Sequence, residues 1–414
     1  MVVRSAMHRA GAAALTELLQ FPEPDISQRS LPCPCGHSAR YQGLRSKPVL
    51  TVVGEVRVSR PYYLCSHCHA GQFPVDVELD IENKSLSPGV RRMEAVVGHE
   101  DPFDRGRQQL KLLANLELTT KSVERTAEAI GADIAAREKL RIDSAMQLVL
   151  PIVIGKPIPI FYIEMDGTGV PVTKTETVGR QGKTAGQPAH TREAKLGSIF
   201  TQTNWTAEGY AVRDPDSTTY VGAIETAAEF GKRLYLEAWD RGWSRAVVKV
   251  VMGDGADWIW NLADQYFPGA IQIVDLYHAR QHLWELARKL HPNDEAGQKR
   301  WMDVHQKLLD AGKMKKLTVA LRSIATGNSE LADKIRTEAD YFHRNALRMR
   351  YPTRRLHLFV GSGVIEAGCK TVIGKRLKQS GMFWSVRGAN AIIALRCSVL
   401  NGRFEDYWES RLAA

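Results

Sequence analysis

Two aspartates in this chain close apolar runs and are flanked by glycine. In "FYIEMDGTGVPV" Asp166 ends a β-type run and precedes Gly167; in "VVKVVMGDGADWIW" Asp254 stands between Gly253 and Gly255, after a strand-like run and before a helix-like one. Glycine at such points lets the backbone turn sharply and leaves room for a ligand to reach the carboxylate. A third acid stands out by its surroundings. Glu366, in "GSGVIEAGCKTVIGKRLKQSGMFW", is the only acidic residue between Arg348 and Phe404, against eleven Lys and Arg. Carboxylates that end neighbouring strands repel one another unless a cation lies between them. Three of them holding two divalent ions are what phosphodiester cleavage and strand transfer require. One ion activates the attacking water or sugar hydroxyl, and the other stabilises the leaving oxygen. Mg²⁺, or Mn²⁺ in its place, suits so sparse a ligand set, because water and phosphate oxygens complete its shell. Either aspartate alone reads equally well as a turn former or helix cap; the pair, with Glu366 in its basic setting, selects the metal reading.

The residues around Glu366 fit the same chemistry. On a helix Glu366 shares a face with Lys370 and Ile373, with Cys369 beside them. Lys370, Lys375, Arg376 and Lys378 then flank the site and read together as a track for phosphates rather than a solvated face. Trp384, in "GMFWSVRGAN", either stacks on an unpaired base or packs in the core. Arg387 and Asn390 either touch DNA or cap the last helix. In "DLYHARQHLW", Asp275 ends another strand, and His278 and His282 lie one helical turn apart, a spacing that can ligate metal. No third strong ligand is near in sequence. Asp275 and His278 are therefore accessory candidates for the catalytic metals or the scissile phosphate, against the default of a structural strand–helix junction.

These side chains need a frame, and the pattern supplies one. After the Pro-rich boundary "VLPIVIGKPIPI", three strand-like runs, "IPIFYIEMDGTGV", "AKLGSIFTQTNW" and the hairpin-like "GYAVRDPDSTTYVGAI", are followed by helix, strand, helix and strand. That succession predicts a mixed α/β layer. Residues 277–347 read as almost purely helical, and 348–414 as the basic segment with Glu366. Ahead of the boundary, 1–30 hold a short amphipathic helix and a Pro-rich break, 31–86 the paired cysteines, and 87–150 a helical region. At 414 residues with 44% hydrophobic and 25% charged side chains, two or three soluble domains are expected. A net charge of +10 favours an anionic partner, nucleic acid first. No apolar run approaches a membrane span, and the N-terminal residues lack the core and cleavage site of a signal peptide. The expected location is the cytoplasm.

Cys33, Cys35, Cys65 and Cys68 bracket two β-type runs, "KPVLTVVG" and "EVRVSRPYYLC", separated by a Gly turn. This is a zinc-ribbon layout, in which structural Zn²⁺ replaces a core too small to hold alone. Two paired clusters with Cys369 and Cys397 far away suit metal in a reducing compartment better than disulfides. "CPC" has a one-residue gap where "CSHC" has two, so His37, His67 or His69 remain possible substitutes for Cys33 or Cys35. Arg40, Arg45, Lys47, Arg57 and Arg60 make the module basic, which fits either DNA contact or a purely structural knuckle. "ANLELTTKSVERTAEAIGADI" reads as a helix-turn-helix whose second helix begins near Thr120, with Lys121, Ser122 and Arg125 facing a major groove. A helical hairpin without DNA is the plain alternative.

"EMDGTGVP", "GDGADWIW" with "DLYHARQHLWELA", and "GSGVIEAGCKTVIGKRLKQSGMFWSVRGANAIIALR" resemble the bacterial insertion-sequence DDE transposases of the ISKra-type family, from about Cys33 to the C-terminus. The resemblance implies an RNase H-like catalytic core, with Asp166 on the first strand, Asp254 after the fourth and Glu366 on a late helix as the catalytic residues. It also implies two Mg²⁺ ions, a helical insertion at 277–347, and C-x-x-C pairs from which "CPC" departs. The partners it implies are DNA, as terminal inverted repeats and target, with a homodimer or higher assembly when two ends are paired. The whole is an α/β protein: an RNase H-like core with a helical insertion, preceded by a zinc-ribbon-like module and a helix-turn-helix-like region. The competing readings are an RNase H-like nuclease or resolvase that cleaves without joining, and a DNA-binding derivative without catalysis.

Overall fold

A computed structural model describes residues 2–147, 150, 153–182 and 187–412 of the chain. They fall into two units, Met1–Gly131 together with Gly402–Ala414, and Ala132–Asn401.

The first unit starts with helix α1 (Val2–Leu18) and four strands that pair antiparallel in chain order: β1 (Ser30–Pro32), β2 (Ser38–Thr51), β3 (Gly54–Cys65) and β4 (Gly71–Gln72). Alternation on β3 sends Val56 and Val58 inward, where they meet Val49 of β2, Val75 and Ile81. β2 begins well before the predicted run at Lys47, because the ladder to β3 continues past a register shift between Tyr41 and Gly43. Helices α2 (Pro74–Glu78), α3 (Pro88–Glu100) and α4 (Phe103–Ala114) follow, then α5 (Thr120–Gln147), whose residues from Ala132 onward belong to the second unit. Ser87 caps α3 by accepting from the Val90 N–H, and Asn115 ends α4 in the left-handed conformation. Arg60, expected on the basic face of this module, is instead buried. Its guanidinium donates to Asp76 at 2.7 and 3.2 Å, and Lys47 reaches the same carboxylate at 3.2 Å.

The second unit is built on a five-stranded mixed sheet. Its strands are β5 (Ile158–Pro171), β6 (Thr191–Gln202), β9 (Thr219–Ala223), β10 (Ala246–Gly253) and β11 (Ile271–Val274), with a small hairpin of β7 (Asn204–Trp205) and β8 (Ala211–Val212) leaving β6. Across the sheet the order is β11-β10-β5-β6-β9; β5, β6 and β9 form an antiparallel meander, and β10 and β11 run parallel to β5. Helices α6 (Ala227–Asp240) and α7 (Asp257–Tyr266) make the crossovers. Every residue from Ile160 to Met165 is buried, the unbroken run of a strand covered on both faces.

The helical stretch predicted for 277–347 consists of α8 (Leu276–Leu290), α9 (Glu295–Asp310), α10 (Met314–Arg322) and α11 (Ser329–Arg344). Their apolar faces, with Leu283, Met302, Leu317, Ile335 and Phe342, belong to the same core as Ile163 and Val251 of the sheet. The chain continues through α12 (Tyr351–Arg354), α13 (Gly363–Gly368), a π-helical turn (Cys369–Gly374), α14 (Lys375–Leu377) and α15 (Val386–Leu400). The last helix, α16 (Phe404–Leu412), groups with the first unit, where Arg411 donates to Asp80 at 2.8 and 3.1 Å. No helix of the described residues is long and apolar enough to cross a membrane.

Candidate active site

The central pair of strands brings the two aspartates level. β10 pairs with β5 in parallel as far as Met252 opposite Glu164, and each aspartate follows its member of that pair by two residues. Gly255 turns the chain out of β10 with φ +99°, and a Cβ there would lie 2.7 Å from the Tyr341 ring. Asp254 caps this turn, its Oδ1 accepting from the Ala256 N–H at 2.9 Å. Asp166 accepts from its neighbour Gly167 N–H at 2.7 Å and from the Cys369 thiol at 3.3 Å. Burial pushes the Asp166 carboxyl above its ordinary range; the Cys369 and Gly167 bonds work against this, and the charge of Asp254 adds to it. No cationic side chain forms an ion pair with either aspartate among the described residues.

Glu366 rides on α13, and this helix is fastened to β5 by a residue absent from the sequence expectations. Glu164, wholly buried, accepts from the Ile365 N–H at 2.7 Å and from the Ser198 hydroxyl at 3.4 Å. Its Oε1 has no partner, and burial pushes its carboxyl up to about 8. Gly368 permits the close approach: a Cβ there would sit 2.6 Å from the Tyr220 ring. Cys369 then reaches Asp166, and the π-helical turn begins at that same residue. Such turns widen a helix locally and recur at functional sites. Glu366 itself is exposed and lines a hollow of about 570 Å³ with Tyr210, Tyr277, Arg355 and Phe359. Asp166 and Asp254 face one another electrostatically and Glu366 is one turn from Cys369, but the three do not offer oxygens that all lie within 4.8 Å of each other. The groups that do so among the described residues are made of cysteine and histidine.

Two of the proposed DNA contacts are corrected. Arg376 is 0% and Trp384 6% exposed. The guanidinium lies 4.9 Å from the Trp384 ring centre, and the indole N–H donates to the Leu377 carbonyl at 3.1 Å. They form a buried pair that holds α14 to the following turn and cannot meet a phosphate or a base. Lys370, Lys375, Lys378 and Arg387 are exposed, and Lys378 donates to the Thr168 hydroxyl two residues beyond Asp166. Asn390 takes neither expected role: it lies inside α15, which Ser385 caps, and it binds the chain after β9. Its side chain accepts from the Ile224 N–H at 2.7 Å and donates to the Ile224 carbonyl at 3.2 Å.

Asp275 is buried and fully engaged. One oxygen accepts from the Tyr277 and His278 N–H groups, and the other from the Ser362 N–H and hydroxyl. It locks the β11–α8 junction to the chain leading into α13. His278, by contrast, is half-exposed, and its charge bears on Asp166.

In the first unit the sulfur atoms of Cys33, Cys35, Cys65 and Cys68 all lie within 4.8 Å of one another. The one-residue gap of "CPC" does not prevent this, because Gly36, at φ +86°, turns the chain back with its N–H on the Cys33 carbonyl. The cluster is compatible with a zinc ribbon. N–H groups of Cys68 and His67 favour the Cys65 thiolate against burial and draw it down to about 6. Cys35, His37 and His67 form a second, exposed set of the same compactness, with the two imidazoles stacked at 3.8 Å. The chain turns between α4 and α5 over residues 115–119. Lys121 and Arg125 are exposed at the start of α5, but Ser122 is half-buried and turned to the buried Glu94.

No family model matches the chain, and no curated protein matches it. Among solved structures, the Drosophila P element transposase strand transfer complex aligns with a TM-score of 0.26 and 10% identity, over 77% of this chain and 79% of that one. A likeness of that size carries no argument about fold or function.

Proposed function

We propose that the chain is a DNA transposase with an RNase H-like core, in which Asp166, Asp254 and Glu366 act together on DNA phosphates. The observation that carries this reading is the strand order. A three-strand meander is extended on its first strand by two parallel strands; Asp166 lies on β5, and Asp254 directly follows β10, the strand beside it. Asp166 and Asp254 fit a divalent cation on their own chemistry: both are part-buried carboxylates, the charge of Asp254 opposes ionisation of Asp166, and among the described residues no cationic side chain pairs with either. Asp166 and Asp254 would hold Mg²⁺, with Glu366 joining from α13. When bound, the two ions lower the pKa of the attacking water or hydroxyl and stabilise the leaving oxygen. The protein's own part is to place charge. Glu164 fixes α13 against β5, so that Glu366 moves only through its side chain and the π-helical turn. Lys370, Lys375 and Lys378 bind phosphates beside it. The four-cysteine module stabilises the N-terminal unit with zinc, and Lys121 and Arg125 on α5 bind the terminal repeats. Pairing of two ends calls for a dimer or a higher assembly.

The test uses purified protein, a supercoiled plasmid carrying the element's ends, and Mg²⁺. The wild type is expected to cleave at the ends and join the freed 3′-hydroxyl to target DNA. Asp166→Asn is expected to abolish both reactions while still binding end DNA. Retained cleavage in the purified variant overturns the assignment. Cleavage without joined product assigns a nuclease instead.

A further inference from the structure

Behind the aspartate pair lies a hydrogen-bonded chain that the proposed chemistry does not use. His278 and His282 are one turn apart on α8, their Nε2 atoms 3.2 Å from each other. His282 Nδ1 is 2.7 Å from Oε2 of Glu338 on α11, a carboxylate only 1% exposed. Lys334 reaches the other oxygen of Glu338 at 2.5 Å. The His282 ring stacks on Tyr341 at 4.1 Å, and the Tyr341 hydroxyl donates to the Asp254 carbonyl at 2.8 Å. The hydrogen bonds run from Lys334 to His278, and the stacked Tyr341 ring joins them to the backbone of Asp254.

Donor arithmetic fixes the protons. Burial opposes the charge of Glu338, but hydrogen bonds from His282 and Lys334 outweigh it and hold the carboxyl below its usual range. An ionised carboxylate only accepts, so His282 carries its proton on Nδ1. In neutral His282 the Nε2 is then an acceptor, and the neighbouring Nε2 of His278 must donate to it. That leaves Nδ1 of His278 with a lone pair and, among the described residues, no partner. Its imidazole is half-exposed and lies within electrostatic reach of Asp166. A ring nitrogen held by a buried carboxylate through a second imidazole has one tautomer instead of two.

We propose that Glu338 and His282 are positioning residues that lock His278 in the Nε2–H tautomer, so that His278 Nδ1 accepts a hydrogen bond from the attacking water or hydroxyl at the Asp166–Asp254 site. The role of Nδ1 rests on the catalytic reading above; the tautomer does not.

The tautomer is read directly in full-length protein labelled with ¹⁵N-histidine, by long-range ¹H–¹⁵N correlation at about pH 8, above the ordinary imidazole range. His278 is expected to show a protonated Nε2 and a bare Nδ1, and His282 the reverse. Glu338→Gln is expected to release both rings into mixed tautomers. The same variant is expected to cut kcat for end cleavage about ten- to hundred-fold, the usual cost of losing an outer hydrogen-bond partner, with KM for DNA unchanged. A mixed or Nδ1–H His278 in the wild type overturns the proposal whether or not the variant folds. So does an unchanged spectrum or kcat in Glu338→Gln. A wild type with the expected tautomers that cleaves no DNA counts against the catalytic reading alone.

Discussion

Glu164 offers a quantitative test of how the site is held together, through the change Glu164→Gln. The carboxyl is wholly buried, accepts the Ile365 N–H at 2.7 Å, and is raised from an ordinary 4.5 to about 8. A raised carboxyl binds a proton in the folded state that the unfolded chain has already released. Its contribution is therefore complete below about pH 4.5 and is lost as the pH climbs towards 8. The slope in that window is about 1.4 kcal/mol per pH unit, so the second unit should lose on the order of 4 kcal/mol between pH 5 and 8. Glutamine has the same shape, still accepts the Ile365 N–H and cannot ionise. The variant should be near wild type at pH 5 and markedly more stable at pH 8. Urea unfolding in the presence of a chelator measures this, followed by fluorescence, since every tryptophan except Trp408 lies in the second unit. The wild-type midpoint should fall by about 1–2 M more across the range than the variant's. A wild-type midpoint that falls no further than the variant's refutes the reasoning.

Other consequences follow from the same packing. Trp384→Ala should cost about 3–5 kcal/mol of stability, as removal of a buried indole does, and leave DNA affinity of the folded fraction unchanged; a stable variant that loses DNA binding would restore the stacking role. Burial alone would raise the Asp80 carboxyl, but Arg411, Lys84 and Arg91 hold it well below the usual carboxylate range. That contribution is present above the ordinary carboxylate pKa near 3.8 and is lost as the pH falls below it. Asp80→Asn, which tolerates the φ of 48° at this position, should cost about 3 kcal/mol at neutral pH and flatten the acid limb of the first unit's unfolding. Native mass spectrometry should find zinc on the cysteine cluster, with Cys33, Cys35, Cys65 and Cys68 protected from alkylation; Cys68→Ser should lose both the metal and the protection, and four freely alkylated thiols in the untreated protein would count against zinc.

What could be read from the sequence was local. Asp166 and Asp254 announce themselves because each ends an apolar run beside glycine, and the order of strands and helices between them is written in the periodicity. Glu164 carries no such sign: its significance lies in the Ile365 N–H, 201 residues away, and in a burial that a single acid within an apolar run does not declare. Arg376 leaves the expected phosphate track, and Trp384 takes the core alternative, for the converse reason. A basic helix looks solvated along its length, and nothing in "GKRLKQSGMFW" says that one of its cations turns inward onto an indole. Arg60 deceives in the same way, its partner Asp76 lying beyond the cysteines. The π-helical turn has no periodicity of its own, so Glu366, Lys370 and Ile373 were placed on one face as if the helix were regular. "CPC" was an ambiguity of spacing that one glycine in the left-handed region resolves.

The claim on which the account stands is that Asp166, Asp254 and Glu366 share divalent cations. Titration of the metal-free protein with Mn²⁺, read by the loss of the free-ion paramagnetic resonance signal in the presence of end DNA, measures this directly. Wild-type protein should take up Mn²⁺ at the site, Asp166→Asn and Asp254→Asn should lose that uptake, and Glu366→Gln should weaken it at least about tenfold, as loss of a charged ligand does. Uptake by Glu366→Gln indistinguishable from the wild type would show that the third carboxylate stands outside the site, and the three-acid assignment would fall.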